Sequence, residues 1–516
     1  MKLLLTTLNA KYVHSNLALK YLYAAAMEKR VPAELREFTI NNDDDYIFCE
    51  LIRGDYELVC FSCYVWNIER TLYLAENLKK ARPETKILLG GPEVSFDVER
   101  ILWEHPFVDF LIAGEGERVF SLLLEELAQG ERSQTEADLR GIPGLAFRRE
   151  ERIRANPPAA PEVFESIPFP YHTLPCEEDK VAYYESVRGC PFRCAYCLSS
   201  VDKTIRALPM SRVRTDLSYF IYKRVKQVKF IDRTFNYDPR RCAEIMEYLV
   251  TNDNGVTNFH FEVCGDLMDE AMLELLSRAR PGLFQLEIGV QSTNPATLES
   301  IRRRCDFPRL ARNVERIRNF GGVHLHLDLI AGLPYEDYLT FKKSFNDVYR
   351  LRPHDLQLGF LKLLPGTPLR DMTAEYRYVF RRQAPYEVIS NAFLSADGLA
   401  RLKMVENVLD LYYNRGGFEE TVERAACVLW ETPFDFYQDL ANYYYVSGHQ
   451  HRSHRKEDLY RILYAFFHWR NGKTEELEDH PGRRETIVFE LLERDLKRTM
   501  NPDAVKKFEK KGWELD

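Results

Sequence analysis

No stretch of this chain approaches the ~20 consecutive apolar residues that a membrane-spanning helix requires, so the expectation is a protein with no membrane partner. An excess of positive charge is also missing: 71 Lys and Arg stand against 79 Asp and Glu, a net charge of −8. That balance argues against a general nucleic-acid binder, although a local basic groove stays compatible with it. The cysteines do not form a disulfide framework, since there are 11 of them, an odd number scattered widely, as suits a reducing cytoplasm. Nor does the start read as a secretory leader. The apolar run Leu3-Leu4-Leu5 ends at Thr6-Thr7, with Asn9 and Lys11 following, and this is better read as a first strand. At 516 residues the chain exceeds one compact core, which implies two to four domains of ordinary soluble composition.

What the chain does have is a cysteine loop. Residues Ser186 to Ser199 run S-V-R-G-C-P-F-R-C-A-Y-C-L-S, which spaces Cys190, Cys194 and Cys197 by three residues and then two. Thiolates are the usual ligands of a four-iron cluster, and three from one tight loop would leave one iron open to an outside ligand. The competing reading is a zinc loop or three unrelated cysteines. Zinc would want a fourth close Cys or His, usually in a second paired knuckle. Cys176 upstream and Cys242 downstream form no such pair.

Hydropathy organises the rest. Up to about residue 128, short buried runs alternate with helical patterns: strand Lys2 to Leu8, helix Asn16 to Lys29, strands Leu35 to Ile40 and Leu58 to Tyr64, helix Ile68 to Ala81, strand Lys86 to Leu89, then Phe107 to Ala113 and a helix. This alternation predicts a doubly wound, flavodoxin-like parallel sheet, whose ligands sit at the carboxyl ends of the strands. A polar stretch from Gln129 to Asp138 and the proline-rich Ala155 to Pro161 place the first boundary near residue 150, with a linker over 151–180. Six strand–helix units follow within 181–375, at Val181, Val225, Phe259, Leu283, Val323 and Leu356. Their spacing predicts a partial (β/α)6 barrel of TIM type with its functional groups at the C-terminal strand ends. From Tyr376 to the end, 376–516, the pattern is mainly α-helical and rich in aromatics. Tyr412-Tyr413 and Tyr443-Tyr444-Tyr445 read as core, and His449, His451 and His454 as a polar loop rather than a metal site.

The C-x3-C-x2-C spacing, with Tyr196 just before the third cysteine, resembles the cluster loop of the radical S-adenosylmethionine (SAM) superfamily. The resemblance implies a [4Fe-4S] cluster on Cys190, Cys194 and Cys197. SAM would chelate the open iron, and one electron would break its sulfonium S–C bond to give a 5′-deoxyadenosyl radical. It also implies a low-potential donor such as flavodoxin or ferredoxin. Matching strand ends in the family would make Asp232, Glu262, Glu287 and Gln291 SAM-pocket residues, with Tyr196 beside them; Arg302, Arg303 and Arg304 read either as partners for the SAM carboxylate or a substrate phosphate, whose geometry arginine forks match, or as an exposed helix face. The polar loops of the first domain resemble the cobalamin-binding domain that precedes many such cores. There Ser62, Gly90 and Gly91 match positions that receive the nucleotide tail. The Asp-x-His-x-x-Gly signature is absent, and His14 lacks the surrounding Asp and Gly, so the resemblance implies cobalamin held without a lower histidine.

The implied function is transfer of a methyl group to an unactivated carbon, or another radical transformation. A methylthiotransferase with a second cluster at Cys49, Cys60 and Cys63 is one alternative, and a scaffold that keeps the fold without chemistry is the other.

Overall fold

The computed structural model describes residues 1–128, 136–149, 152–201, 204–450, 452–474 and 481–514. Most of the polar stretch from Gln129, the boundary expected at residue 150, and His451 lie outside the described residues.

Seven strands form the first sheet: β1 (Leu3–Asn9), β2 (Ala33–Thr39), β3 (Leu58–Ser62), β4 (Lys86–Gly90), β5 (Phe110–Ile112), β6 (Leu145–Arg149) and β7 (Arg152–Ala155). Their order is β2-β1-β3-β4-β5-β6-β7. The first five pair in parallel, whereas β6 and β7 add on antiparallel. β1 is buried on both faces. Leu4, Val59 and Leu89 face one layer of helices, and Leu3, Leu5 and Leu88 the other, each such leucine contributing about 1.5–3 kcal/mol by leaving water. The sheet therefore runs past the boundary expected near residue 150, to Ala155. The proline-rich segment after it ends the sheet, because proline has no N–H to offer a neighbouring strand. The helix Leu17–Glu28 begins where predicted, because the Asn16 side chain accepts from the Leu19 N–H. An unpredicted helix, Asp44–Arg53, is capped by Asp43.

The second sheet is parallel throughout. Its strands are β8 (Ala182–Tyr184), β11 (Gln227–Phe230), β12 (Asn258–Val263), β13 (Phe284–Gln291), β14 (His324–Ala331) and β15 (Asp355–Phe360), in the order β15-β14-β13-β12-β11-β8. Between β8 and β11 lies a small antiparallel pair, β9 (Val187–Arg188) with β10 (Arg206–Ala207). Burial alternates strictly along β13 and β14. Leu286, Ile288, Leu325 and Leu327 pack under the helices, while Glu287, Gln291, His326 and Asp328 occupy the opposite, half-buried face.

Both edges of this sheet are covered, which removes the hazard of unpaired strand backbone. At β8, the Val181 N–H donates to the Val13 carbonyl at 2.8 Å. At β15, the Asn414 side chain mimics a strand: its Oδ1 accepts from the Leu356 N–H at 2.9 Å, and its Nδ2 donates to the Leu356 carbonyl at 3.1 Å. A hairpin of β16 (Val379–Phe380) and β17 (Val388–Ser390) lies alongside, with the Leu363 N–H donating to the Tyr386 carbonyl at 3.0 Å.

The remaining chain is helical, including Ala396–Leu409, Pro433–Val446, Lys456–Thr474 and Pro481–Thr499. Tyr412 and Tyr444 are buried with their hydroxyls 2.7 Å apart, while Tyr445 faces solvent. His454 bonds the His449 carbonyl through Nε2 at 2.8 Å, which closes the loop between two helices. Among the described residues, no helix is long and apolar enough to cross a membrane.

Candidate cofactor site

The cysteine loop leaves β9 through Gly189, whose φ of +88° and whose place 2.1 Å (from an imagined Cβ) from the Thr204 carbonyl oxygen admit only glycine. The loop is pinned from three sides. The Ala195 N–H donates to the Ile301 carbonyl at 2.8 Å, the Leu369 N–H donates to the Ala195 carbonyl at 2.9 Å, and the Cys197 N–H turns back on the Cys194 carbonyl at 3.1 Å. Cys190 Sγ lies 3.7 Å from Thr234 Oγ1 at the end of β11.

Of the three consecutive arginines, only Arg303 turns inward; Arg302 and Arg304 are exposed. Its Nη1 lies 3.7 Å from Cys194 Sγ and 3.4 Å from the Tyr196 hydroxyl, and its Nη2 donates to the Gly289 carbonyl. Burial pushes the Cys194 thiol up, and Arg303 opposes that shift; Cys190 and Cys197 lie close enough for their charge to be felt at Cys194. Cys264 and Cys305 are also within electrostatic reach of Arg303. No three Cys, His, Asp or Glu among the described residues converge on a point as the ligands of one ion would. A cluster spreads its thiolates over different irons, so three thiols from one loop fit it without such convergence.

The structure treats the predicted acidic residues differently from one another. Asp232 is 1% exposed. Its carboxylate accepts from the Ser186 N–H at 2.7 Å, the Ser186 hydroxyl at 2.5 Å and the Val187 N–H at 3.1 Å. Asp232, expected in the SAM pocket, thus uses its oxygens to hold the backbone that leads into the cysteine loop. Glu287 is likewise engaged within the protein, with Lys229 Nζ at 2.8 Å and His260 Nε2 at 3.1 Å from it. Burial alone would raise its pKa, but the His260 and Lys229 contacts reverse this and hold it at about 2. Glu262 has Lys229 at 3.9 Å, and burial, with Glu287 nearby, raises it to about 7.

Gln291 sits at a register shift between β13 and β14 with φ of +71°, an unusual backbone for a residue with a side chain and the kind of strain that gathers at ligand sites. Its Oε1 is buried without a hydrogen-bond partner, as is Asp328 Oδ1. His326 Nε2 lies 2.9 Å from that oxygen but is poorly aligned for a bond. Gln291 and Arg303 thus meet beside Gly289 and the cysteine loop, while Glu262 and Asp328 lie within electrostatic reach of each other on the same sheet. Sequence reasoning missed Asp328, Lys229 and His260. The signal was there, in H-L-H-L-D-L and F-H-F-E-V, as a polar residue at every second position.

The strand ends of the first sheet face this region. Ser62 is buried in a polar network, where its Oγ accepts from Asn16 Nδ2 at 3.4 Å and its carbonyl accepts from Thr7 and Asn67. Gly90 and Gly91 are half-buried at the end of β4. A Cβ on Gly91, where φ is +114°, would lie 2.5 Å from the Cys63 carbonyl oxygen. His14 reaches across to the second sheet, its Nδ1 2.7 Å from the Tyr183 hydroxyl; burial, with Lys11 and Lys229 nearby, lowers its pKa. Glu115 and Glu117, in the stretch Gly114-Glu115-Gly116-Glu117 after β5, pair with Arg188 and Arg206 of the second domain. Cys60 and Cys63 pack into different hydrophobic layers on opposite faces of the first sheet, and Cys49 is exposed on a helix, so these three do not meet.

Family models match this layout in order: a B12 binding domain over residues 3–124, the radical SAM superfamily over 184–348, and a protein of unknown function (DUF4080) over 374–514. The chain carries a B12-binding domain and a radical SAM domain. The cobalamin-dependent radical SAM methyltransferase TokK of Streptomyces tokunonensis is 26% identical over 61% of this chain and 48% of its own length. The chain spans about half the length of this and the next curated relative. Among solved structures, the radical SAM methyltransferase TsrM from Kitasatospora setae, with cobalamin and a [4Fe-4S] cluster bound, has 16% identity, covers 74% of this chain and 76% of that one, and gives a TM-score of 0.59. The cobalamin-dependent SAM radical enzyme OxsB has 14% identity, covers 99% and 83%, and gives 0.64. The B12-binding and radical SAM domains therefore share their mixed α/β fold with these enzymes.

Proposed function

We propose that this chain is a cobalamin-dependent radical SAM enzyme that transfers a methyl group to an unactivated carbon of its substrate. The observation that carries the reading is a three-cysteine loop, backed by Arg303, at strand ends that face the glycine-lined strand ends of a B12-binding domain. We read the six-stranded parallel sheet as a partial (β/α)6 barrel of TIM type, which opens its functional end toward that domain. When bound, a [4Fe-4S] cluster with SAM supplies radical chemistry and cobalamin supplies methyl transfer, neither of which side chains can perform.

The residues' own tasks are binding and orientation. Cys190, Cys194 and Cys197 hold the cluster. Arg303 offers a planar cation to the SAM carboxylate. Gln291 and Asp328, each with a buried oxygen lacking a hydrogen-bond partner, take its hydroxyl and ammonium donors together with Glu262, and Tyr196 contacts Arg303. Gly90 and Gly91 let a bulky tail approach the backbone, with Ser62 ordering the neighbouring strand end. His14 lacks the Asp-x-His-x-x-Gly frame that would present it as a lower ligand, and its Nδ1 is engaged by Tyr183. A low-potential flavodoxin or ferredoxin would deliver the electron.

Methylthio transfer is disfavoured by the separation of Cys60 from Cys63 across the sheet. Turnover of methyl-labelled SAM with metabolite extracts, by anaerobically reconstituted enzyme, tests the reading. Label should land on carbon in one product, and label that lands on sulfur, or in no product at all, would overturn it.

A further inference from the structure

The region of unknown function reaches back to the B12-binding domain through the turn that carries Ala384 and Tyr386. Glu93 follows Gly90-Gly91 after Pro92 and is 8% exposed. Its carboxylate accepts from the Tyr386 hydroxyl, 293 residues away in the turn between β16 and β17. Burial raises the Glu93 pKa, and the Tyr386 bond opposes that. On its other side, the Tyr386 ring covers the Arg370 guanidinium at 4.9 Å, with Phe380 on the same cation at 5.4 Å. Arg370 Nη1 donates to the Leu363 carbonyl at 2.6 Å, and the preceding residue, Leu369, donates its N–H to Ala195 inside the cysteine loop. Next to this contact, Phe96 of the first domain lies flat on Gly366, where an added Cβ would stand 2.2 Å from its ring. A chain of direct contacts thus runs from the glycines at the end of β4, through Glu93, Tyr386 and Arg370, to the cluster loop.

We propose that Tyr386 is a positioning residue through which the C-terminal region clamps the loop Gly90–Ser95 against the radical SAM domain, and so sets the affinity for cobalamin. The inference rests on the reading that cobalamin binds at these strand ends. The physical reason is preorganisation: a loop already fixed in the free protein need not be ordered when its ligand arrives, whereas a released one must be. The same loop carries the bond from Ser95 Oγ to the Gly91 carbonyl, at 2.8 Å, and receives the Gly114 N–H on Ser95 Oγ at 3.0 Å. Loosening Glu93 therefore loosens two neighbouring strand ends together.

The test uses the full chain with Tyr386→Phe, which removes the hydroxyl and keeps the ring over Arg370, with Glu93→Leu, which removes the acceptor, and with the double variant. Amide hydrogen exchange on the cofactor-free protein should be faster over residues 90–97 in each variant, while residues 190–197 exchange as in the parent. Titration with hydroxocobalamin, followed by absorbance, should show about tenfold weaker binding for Tyr386→Phe, as expected for one lost bond to a carboxylate. The double variant should be no weaker than Glu93→Leu, because both remove the same contact. Unchanged exchange over residues 90–97 overturns the clamp, as does a loss of cluster iron that parallels the loss of cobalamin. Should the parent chain bind no hydroxocobalamin, the proposed function fails, and the exchange comparison still decides whether Tyr386 holds the loop.

Discussion

Asp232 offers the sharpest mutational test, because the structure assigns it a task other than the one its position at a strand end suggests. Its carboxylate satisfies two backbone N–H groups and one hydroxyl in a fully buried setting, at Ser186 and Val187. Asp232→Ala would leave all three donors without partners. Each stranded buried group costs about 1–3 kcal/mol, so the loss is at least about 3 kcal/mol, a large part of the roughly 5–15 kcal/mol that holds a domain folded. Asp232→Asn keeps one acceptor oxygen for the two N–H groups, and the Ser186 hydroxyl can turn to accept from the new amide, so its cost is nearer 1 kcal/mol.

The pH dependence gives the sign independently. Burial, opposed by the Ser186 and Val187 bonds, raises the Asp232 pKa from 3.8 to about 6. A carboxyl raised on folding contributes stability that is fully present below pH 3.8 and is lost as pH rises through 6. Relative to Asp232→Asn, the parent chain should therefore lose on the order of 3 kcal/mol between pH 4 and pH 7. Urea unfolding of the cofactor-free protein at the two pH values measures both effects, with iron content after reconstitution as the functional readout. If Asp232→Ala unfolds like the parent, takes up a full cluster and only binds SAM more weakly, the anchoring role is refuted.

Three further outcomes are expected. Arg303→Met should weaken SAM binding about 10- to 100-fold while cluster iron is retained, as fits the loss of a charged hydrogen bond; Arg302→Met and Arg304→Met should not, and isothermal titration with SAM separates them. His14→Ala should leave the electron paramagnetic resonance spectrum of reduced bound cobalamin unchanged, since the Asp-x-His-x-x-Gly frame of a lower ligand is missing around it; loss of a nitrogen hyperfine splitting on mutation would contradict this. Asn414→Ala should destabilise the second sheet by about 1–3 kcal/mol by stranding the Leu356 backbone at the edge of β15, readable by thermal unfolding, and an unchanged midpoint would show that water replaces the side chain.

Much of this was legible in the residues. The cysteine spacing, the strand–helix alternation of both sheets and the aromatic core of the helical region all follow from local pattern, which short-range sterics and burial enforce. What was not legible depends on long-range pairing. A carboxylate at a strand end looks the same whether it awaits a ligand or holds its own backbone, and only the approach of Ser186, 46 residues away, decides for Asp232. Glu287 is settled in the same way by Lys229 and His260 from neighbouring strands. The antiparallel strands β6 and β7 were hidden by their short, charged sequence, R-R and R-I-R-A, which the pairing of β6 with β5 and of β7 with β6 overrides. The polar face of the second sheet could have been found, since a period of two with His, Glu and Asp at alternate positions departs from the continuous apolar runs expected of a parallel sheet buried on both sides.

The central claim is that one chain brings a cluster with an open iron and a cobalamin face to face. Metal, sulfide and corrin analysis of the oxygen-protected protein after reconstitution tests it most directly. The account predicts one four-iron cluster and one cobalamin per chain, with the cluster lost in Cys194→Ala and the cobalamin kept. Zinc in the cysteine loop, a second cluster, or a chain that takes up iron but no cobalamin would contradict it.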